Sequence, residues 1–264
     1  MKLTEINIFP VKSLGGISLE TAAIARRGLR NDRRWMLVDE NGKFLTQREN
    51  ARMALIKLRL DEDRFTASAS GDTFEIPLEI AEGENINVTI WNDSANALVY
   101  DKAADEWFSE ALGAKCRLVF MPDRSERAVN KKYAVHDTDI VHFADGYPFM
   151  LLSQASLDDL NSRLAEKLPM NRFRPNFVVS DSEPFAEDGW KRISIGETVF
   201  NVVKPCERCV ITTIDQQTAA ASKEPLRSLS QYRNFNGKIY FGQNLIAENY
   251  GGEISVGDVV EVIV

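Results

Sequence analysis

Short apolar segments separated by turn residues dominate the first half of the chain. Such segments, with apolar and polar side chains alternating, are typical of strands that have one buried face. Asn41 and Gly42 lie between two of them and predict a tight hairpin turn with positive φ at both residues. The pattern predicts an antiparallel sheet with strands at Glu5–Val11, Trp35–Val38, Phe44–Thr46, Ala54–Leu60, Phe74–Leu78, Asn87–Trp91 and Cys116–Met121.

Longer periodic segments predict three helices, at Ala103–Leu112, from Ser153 or Ser156 to Leu168, and at Lys223–Tyr232. Gly113 closes the first helix, and Pro225 lies near the start of the third. In the second helix Asp159 can complete a capping box, leucines share one face, and Pro169 ends the helix. The leucine stripe indicates a surface that packs against the core.

Beyond the second helix, β-branched and aromatic residues again predict strands, in NFVVS, RISI, TVFNVV, VITTI, KIYF, NLIAE and ISVGDVVEVIV. Strands outnumber helices, so the predicted fold class is mainly β with a few helices, or α+β. No Ser-, Pro- or Gly-rich linker interrupts the chain, and any two domains are therefore expected to be tightly joined. We place their boundary between Lys115 and Asp139, a region that contains the long polar loop Pro122–Asp139.

Composition excludes several classes of function. The 264 residues include 32 Lys and Arg against 39 Asp and Glu, and the net charge of −7 argues against a surface built for nucleic acid or an anionic membrane. No apolar run approaches the roughly 18 to 20 residues of a membrane span, and the first residues, MKLTEINIFP, alternate like a strand. We therefore expect a cytoplasmic protein without nucleic-acid or membrane partners.

The segment KPCERCVITTID contains two of the three cysteines, Cys206 and Cys209. The cations Lys204 and Arg208 are expected to favour the thiolate form of these side chains. The spacing admits a zinc half-site, a redox pair, two buried small residues, or one thiolate ligand to a soft metal beside a structural cysteine.

Two of these alternatives need additional features. A zinc site would have to recruit Cys116 and one of the two histidines, His136 or His142, which are otherwise expected to be loop or packing residues. A redox pair normally opens a helix, whereas VITTI after Cys209 predicts a strand. Gly-rich phosphate loops are absent from the sequence, so nothing indicates a Rossmann enzyme or a nucleotide-dependent transferase.

Basic residues cluster at two places in this acidic protein. Most such clusters are solvated surface, and the alternative is a pocket for an anion such as phosphate. Glu187 and Asp188 are expected to lie in an exposed acidic loop. Surface charge is the simpler interpretation for Arg172. The basic cluster residues and their polar neighbours are Lys12 and Ser13 of FPVKSLGG, Arg26, Arg27, Arg30, Arg33 and Arg34 of ARRGLRNDRRW, and Arg172, Arg174 and Asn176 of NRFRPNFVVS.

Taken together and in chain order, six segments resemble the MOSC-domain molybdenum proteins, and among them the family of the mitochondrial amidoxime-reducing component and its bacterial relatives. The segments are FPVKSLGG, GLRNDRRWMLVDENGKFLTQR, FADGYPFMLLSQASLDDLNSRL, FRPNFVVS, KPCERCVITTID and FGQNLIAENYGGEISVGDVVEV. The resemblance implies a MOSC β-barrel at residues 119–264 and a smaller MOSC N-terminal β domain at residues 1–118. It also implies that the N-terminal segment, up to Arg33, packs with the barrel and supplies cofactor contacts.

The resemblance further implies a molybdenum cofactor, molybdenum bound to molybdopterin, with Cys206 as the protein's thiolate ligand to the metal. Pyridoxal phosphate is not expected. Positions that resemble the family's pterin and phosphate contacts are Lys12, Ser13, Arg33, Ser153, Arg174 and Asn176.

The implied activity is the reduction of N-hydroxylated compounds, namely amidoximes, hydroxylamines and N-hydroxylated base analogues, with detoxification as its purpose. Three cysteines are too few for the four ligands of an iron–sulfur cluster, and flavin and nicotinamide fingerprints are absent from the sequence. We therefore expect a separate flavoprotein or iron–sulfur protein as electron donor. The targeting and anchor segment of the mitochondrial relatives is not found either, in agreement with a cytoplasmic location.

Two alternatives to a reductase stay open. In one, the protein is a cofactor carrier or sulfur-transfer module without turnover, and Cys206 holds a persulfide instead of a metal. In the other, it is a non-catalytic β-barrel binding protein whose cysteines are structural.

Overall fold

Strands make up most of the regular structure in the computed structural model, which describes residues 1–264. The helices are α1 (Lys102–Leu112), α2 (Gln154–Ser162) and α3 (Leu226–Tyr232), with short 3-10 helices at Ala51–Leu55, Met170–Arg172, Ala186–Asp188 and Val210–Thr213. The strands are β1 (Lys2–Ile8), β2 (Ile17–Leu19), β3 (Thr21–Ala25), β4 (Gly28–Leu29), β5 (Trp35–Val38), β6 (Lys57–Leu60), β7 (Arg64–Ala69), β8 (Asp72–Pro77), β9 (Asn85–Ile90), β10 (Asp93–Val99), β11 (Arg117–Phe120), β12 (Phe149–Ser153), β13 (Phe177–Ser180), β14 (Arg192–Ile195), β15 (Thr198–Glu207), β16 (Asn234–Phe235), β17 (Lys238–Ala247), β18 (Glu253–Ser255) and β19 (Val260–Val262). The predicted fold class, mainly β with a few helices, is confirmed. Each helix is too short or too polar to cross a lipid bilayer.

The largest sheet joins the two ends of the chain. Its strand order is β19-β14-β15-β17-β12-β13-β1-β2, with β16 paired to β17. The N-terminal strand β1 pairs antiparallel with β13, where Ile6 lies opposite Phe177, and β12 runs parallel to β13. Phe177 packs against Phe149 and Phe200, with ring centroids 5.5 Å and 5.4 Å away. The first residues of the chain therefore lie in the sheet of the C-terminal half.

Three smaller sheets complete the fold, in the orders β5-β11-β10-β9, β6-β7-β8 and β18-β3-β4. Trp35 of β5 is fully buried and packs against Tyr100 and Phe120. One continuous apolar core contains Trp35 and Phe108 from the first half together with Phe177 from the second. Burial of shared apolar surface holds the two halves together.

The predicted hairpin turn after β5 is confirmed, but the prediction of positive φ at Asn41 is wrong. Of the two residues, only Gly42 is left-handed, with φ of 76°. The side chain of Asp39 accepts hydrogen bonds from the backbone N–H groups of Asn41 and Lys43, both at 2.9 Å. This local side-chain bonding stabilises a wider loop in which one left-handed residue is enough.

Helix α1 ends at Gly113 as predicted, with φ of 66° at that glycine. Helix α2 ends at Ser162, however, and not at Leu168, because the amide of Asn161 binds both the N–H and the carbonyl of Leu168, at 2.8 Å and 3.0 Å, and folds this segment back. Helix α3 begins at Leu226, three residues later than predicted.

The capping box predicted with Asp159 does not form. Ser153 is the N-cap residue of α2, and its hydroxyl accepts a hydrogen bond from the N–H of Ser156 at 3.1 Å. Asp159 instead pairs with Arg163 one turn later, at 2.8 Å. The acceptor that completes the cap comes from outside the helix: the buried carboxylate of Glu187 accepts from both serine hydroxyls.

Candidate functional site

Three segments that are distant in sequence lie side by side and form the floor of the candidate site. The N–H of Arg33 donates to the carbonyl of Phe9, and that of Trp35 donates to the carbonyl of Pro10, both at 3.0 Å. The N–H of Phe143 donates to the carbonyl of Arg33 at 2.9 Å. These backbone bonds bring FPVKS, DRRW and FADG together.

Cys206 lies near the end of β15 and is half-buried against a small apolar cluster around α2. Burial raises the pKa of the Cys206 thiol, although the positive charges of Arg208 and Lys204 oppose this shift. The two cations act in the predicted direction, but burial sets the net direction of the shift at Cys206. Desolvation outweighs them, since Arg208 already donates to the carbonyls of Phe241 and Phe173, at 2.7 Å and 2.9 Å.

Cys209 is the N-cap residue of the 3-10 helix Val210–Thr213, so the strand predicted at VITTI is wrong. The hydroxyl of Thr212 donates to the carbonyl of Cys209 at 3.0 Å, and that of Thr213 donates to the carbonyl of Val210 at 2.7 Å. Local threonine bonds of this kind compete with strand pairing and favour a turn.

Lys12 is buried, and its ammonium donates to the carbonyl of Phe143 at 2.7 Å and to the carboxylate of Asp145 at 2.6 Å. Burial lowers the pKa of Lys12 to about 8, and Asp145 opposes that shift. The charges of Lys12 and Arg48 hold the pKa of Asp145 well below its usual range despite the desolvation of this carboxyl. The pair is therefore ionised at neutral pH, and one donor of the ammonium stays free for a ligand.

Three candidate residues have a left-handed backbone although none is glycine. The φ angles are 67° at Ser13, 51° at Arg33 and 54° at Arg174. The carbonyl of Ser13 accepts a hydrogen bond from the buried side chain of Gln47 at 2.7 Å, which holds this turn in place. Such conformations are costly and cluster at ligand sites, where the surrounding structure imposes them.

Arg33 and Arg174 share one aromatic platform. Their guanidinium carbons lie 4.6 Å and 4.2 Å from the ring of Phe9. Arg33 forms an ion pair with Asp32 and donates to Asn176 at 3.3 Å. Arg174, in contrast, has no carboxylate within ion-pair distance, and burial together with the charge of Arg33 lowers its pKa to about 9. Two adjacent guanidinium groups with one counter-charge form a site that an anion would neutralise.

A polar cavity of about 320 Å³ opens beside Arg174. Its lining supplies amides, a hydroxyl and a second cation, Lys57, and just one large apolar side chain, Phe9. The other polar residues that line it are Asn7, Ser18, Asn171, Gln216 and Gln217, together with one carboxylate, Glu5. A group rich in oxygen and nitrogen atoms and carrying negative charge fits this lining.

Arg48 reaches the cysteine segment from the first half of the chain and Trp91 packs against it, and neither residue was singled out from the sequence. A guanidinium nitrogen of Arg48 lies 3.1 Å from the sulfur of Cys209 and 3.4 Å from the carboxylate of Asp145. The same guanidinium lies 4.5 Å from the ring of Trp91, whose indole N–H donates to Asp145 at 3.2 Å. Arg48 and Cys209 are 161 positions apart, so no local pattern could join them.

A second aromatic pair lies on the other side of the cysteine segment. The ammonium of Lys204 is 4.9 Å from the ring centroid of Tyr133 and 5.7 Å from that of Tyr147. Burial raises the pKa of Tyr147 to about 12, so its phenol keeps its proton at neutral pH. Tyr133 lies in the predicted polar loop Pro122–Asp139 and Tyr147 in the segment FADGYPFMLLSQASLDDLNSRL, and neither was singled out from the sequence.

The structure does not bring every predicted residue to the site. Ser153 is fully buried and its hydroxyl is bound to Ser156 and Glu187, so this structure gives it a capping role. The amide of Asn176 accepts from the N–H of Met150 at 3.1 Å and donates to the carbonyl of Asn7 at 3.0 Å. Asn176 therefore supports the site and the position of Arg33.

Several expectations about surface charge are wrong. Arg172 is buried and pairs with Asp215 at 2.9 Å, and Glu187 is buried in the cap of α2. Arg34 is buried as well and pairs with Glu79 and Asp123, both at 2.7 Å. Each of these buried charged groups has a charged or polar partner, because burial without one would be very unfavourable.

The zinc interpretation finds no support in the geometry. Cys116 is buried beside Ser109 in the first half of the chain, and burial raises its pKa to about 11. His142 packs as expected, with its ring nitrogen 3.0 Å from the carbonyl of Asp32. No group of three or more His, Cys, Asp or Glu side chains is arranged to hold a metal ion. A metal at Cys206 would therefore need most of its ligands from a cofactor.

Comparison with known proteins agrees with this geometry. The family model described as the MOSC N-terminal beta barrel domain matches residues 1–115, and the model described as the MOSC domain matches residues 138–261. The chain belongs to the family of MOSC-domain proteins that carry this N-terminal domain, a family related to the molybdenum cofactor.

Within that family, similarity to the amidoxime-reducing components extends over nearly the whole chain. Mitochondrial amidoxime-reducing component 1 of Mus musculus is 35% identical over 280 residues, covering 99% of this chain and 82% of the relative. The Homo sapiens protein of the same name is 33% identical with the same coverage.

Molybdenum cofactor sulfurase of Oryza sativa subsp. japonica is 33% identical over 91% of this chain but only 32% of its own length. A solution structure from Bordetella bronchiseptica overlaps 38% of this chain and 85% of its own, at 20% identity and a TM-score of 0.32, too little likeness for an argument.

Proposed function

We propose that this protein binds the molybdenum cofactor and reduces N-hydroxylated compounds, with electrons delivered by a separate flavoprotein or iron–sulfur protein. The observation that carries the proposal is the unpaired guanidinium of Arg174, stacked with Arg33 on Phe9 beside a polar cavity. The amidoxime-reducing components, similar over 99% of the chain, support the choice of substrate class.

The residues present fit such a cofactor. The guanidinium groups of Arg33 and Arg174, the free donor of Lys12 and the hydroxyl of Ser13 suit the oxygens of a phosphate and the polar edge of a pterin. Cys206 supplies soft sulfur, which suits molybdenum. When bound, the cofactor would supply the two-electron redox chemistry that the side chains lack.

The protein's own side chains would hold a proton near the site and shape the entrance to it. Reduction of R–NH–OH to R–NH2 and water consumes two electrons and two protons. Lys12, with a pKa of about 8, keeps a proton on Nζ at neutral pH, and the Asp145 carboxylate orients that ammonium. Arg48 contacts the sulfur of Cys209 and packs against Trp91 on this side of the site.

A cofactor carrier or sulfur-transfer module is the second candidate. It is favoured by the relatives named molybdenum cofactor sulfurase, whose matched part is 32% of their length. In this function the sulfur of Cys206 would carry a persulfide, and no N-hydroxylated substrate would turn over.

Metal and pterin analysis, followed by a turnover assay, separates these functions. The chain is expressed in cells with an intact cofactor pathway, and we expect molybdenum and pterin near one per chain together with reduction of benzamidoxime by reduced methyl viologen. Bound, reducible molybdenum without turnover would favour the carrier. Protein that retains neither molybdenum nor pterin would contradict the reductase and the cofactor carrier, and would leave the sulfur-transfer module and the binding protein with structural cysteines.

A further inference from the structure

Trp91 occupies an unusual position at the tip of the β9–β10 hairpin. Its φ angle is 56°, and 46% of the residue is exposed to solvent. A bulky side chain seldom adopts a left-handed backbone, because steric contacts of its Cβ make that conformation costly. Asn or Gly would fit this turn with less strain. The indole is thus kept in the turn and in contact with water at a cost in stability.

Neighbouring side chains fix the orientation of this indole. Phe44 meets its ring edge-on with centroids 5.0 Å apart, and the guanidinium of Arg48 lies 4.5 Å from it. The indole N–H donates to Asp145 at 3.2 Å. An exposed aromatic ring with three such contacts presents a rigid surface, as recognition surfaces do.

The same contacts connect Trp91 to the cysteine segment. Arg48 reaches the sulfur of Cys209 at 3.1 Å, and Asp145 pairs with the buried ammonium of Lys12 at 2.6 Å. Trp91 therefore lies at the rim of the site, on the side formed by Arg48 and Asp145. The hydrogen bond to Asp145 accounts for the orientation of the indole but not for its exposure. A tryptophan with a purely structural role would stabilise the fold more if it were buried.

We propose that Trp91 is a specificity-determining residue whose indole binds the flat, conjugated part of N-hydroxylated substrates and favours them over small aliphatic ones. This inference rests on the proposed function and names its preferred substrate class. Offset stacking of a conjugated ring on the indole predicts an advantage of about three- to tenfold in kcat/KM.

Benzamidoxime and acetamidoxime test the inference, since they share the reacting group and differ in a phenyl against a methyl substituent. The holoenzyme variants are Trp91→Leu, which removes the aromatic face, and Trp91→Phe, which keeps an aromatic face but loses the N–H to Asp145. Trp107→Phe is the matched control, because its indole N–H likewise bonds a carboxylate, Asp72, at 2.9 Å, but lies on α1.

We expect the ratio of kcat/KM for benzamidoxime to that for acetamidoxime to fall about three- to tenfold in Trp91→Leu. It should change less than twofold in Trp91→Phe and in the control. Calorimetric binding of benzamidoxime to the oxidised holoenzyme, which does not turn over, should weaken by a similar factor in Trp91→Leu. Melting temperatures identify a variant that has merely lost its fold. Should Trp91→Leu do so, Trp91→Asn, which suits the left-handed turn and also lacks an aromatic face, supplies the comparison with the same expected loss.

The outcomes distinguish this inference from the proposed function. If wild type reduces both compounds and Trp91→Leu lowers both values of kcat/KM equally, Trp91 is a structural strut and the inference is overturned while the function stands. If Trp91→Phe loses the preference as fully as Trp91→Leu, the hydrogen bond to Asp145 matters and the stacking argument is wrong. If molybdenum-loaded wild type reduces neither compound, the proposed function fails first, and the inference falls with it.

Discussion

Arginine side chains of this protein differ sharply in what they contact. Arg127 is buried and donates to the carbonyls of His142 and Ala144, at 2.8 Å and 2.6 Å, which shapes the loop that carries Asp145. Arg172 is buried with its own carboxylate partner. Arg174, two positions later, has an aromatic ring for a neighbour and no such partner. An arginine that has no carboxylate partner within the protein is available to bind a negatively charged group of a ligand.

Replacement of Arg174 by Ala should weaken cofactor retention. A charge-assisted hydrogen bond in a partly desolvated site contributes about 1.5 to 3 kcal/mol, or roughly ten- to hundredfold in affinity. Molybdenum per chain after dialysis measures the effect. Arg30→Ala is the matched control because Arg30 is exposed and belongs to the other basic cluster. Arg172 is unsuitable as a control, since losing its buried ion pair would destabilise the fold. Equal retention in Arg174→Ala and wild type would show that this guanidinium binds no cofactor.

Substitution of Cys206 by Ser should abolish turnover and reduce bound molybdenum more than tenfold, because a hydroxyl is a much poorer ligand for a soft metal. The fold should survive, since the residue is half-buried and the change is one atom. Cys209→Ser is the internal control and should mainly alter stability, as its sulfur contacts Arg48. The same loss of molybdenum in both variants would instead favour a paired-cysteine site.

His142 should make stability depend on pH. Burial, together with the charges of Arg34 and Arg27, lowers the pKa of His142 from 6.5 to about 3. Between these two values the unfolded chain binds one proton more than the folded chain, so the free energy of unfolding falls as pH falls. We expect a loss of about 2 kcal/mol between pH 8 and pH 5 from this residue.

Urea unfolding at several pH values measures that loss. His142→Gln keeps a donor for the carbonyl of Asp32 and should remove this part of the pH dependence. His136→Gln should leave it in place, because His136 is exposed. A pH profile of His142→Gln that matches wild type would rule out His142 as the titrating group.

Helix α2 shows how an element can depend on a residue outside it. Glu187 comes from the 3-10 helix Ala186–Asp188, yet its carboxylate accepts from the N–H and hydroxyl of Ser153 and from the hydroxyl of Ser156. The periodicity of the leucines identified α2, but the capping partner could not be found within the four-residue spacing of a capping box.

Glu187→Ala should therefore lower the free energy of unfolding by about 3 kcal/mol, because three buried donors would lose their charged acceptor. The exposed Glu183 offers a matched control, and Glu183→Ala should change stability by less than about 0.5 kcal/mol. Chemical denaturation measures both. If Glu187→Ala lowers the free energy of unfolding no more than the control does, water molecules replace the carboxylate as hydrogen-bond acceptors and the prediction is wrong.

At the scale of the whole molecule, the site is built from both halves of the chain. Strand β1 lies in the sheet of the C-terminal half, and Lys12 follows it into contact with Asp145. Arg48 reaches Cys209 from the other side. Because the halves share one apolar core, the site should lose its geometry only when the whole protein unfolds.

Electron supply is a property of the whole molecule that can be tested directly. With three cysteines in the sequence and no flavin or nicotinamide fingerprint, the purified protein should not reduce benzamidoxime with NADH or NADPH alone. Reduced methyl viologen, or a flavoprotein or iron–sulfur reductase, should start turnover in wild type but not in Cys206→Ser. Turnover with NADPH alone, in protein free of contaminating reductase, would contradict this expectation.

The sequence by itself determined the local features of this protein. Alternating apolar residues located most strands, Gly113 marked the end of α1, and the spacing of Cys206 and Cys209 singled out the segment at the centre of the site. These features depend on interactions within a few residues, so a linear pattern reports them. The motif order along the chain was likewise enough to indicate the MOSC family.

Only the tertiary structure decided which charges are paired and which are free. The sequence predicted surface charge at Arg172 and a cofactor contact at Arg174, yet only the structure shows that Arg172 is buried and paired with Asp215 while Arg174 is open toward a cavity. Likewise, Arg48 and Trp91 belong to the site because folding places them against Cys209 and Asp145. Burial and ion pairing depend here on partners 43 to 161 residues away, and a one-dimensional pattern carries no record of those distances.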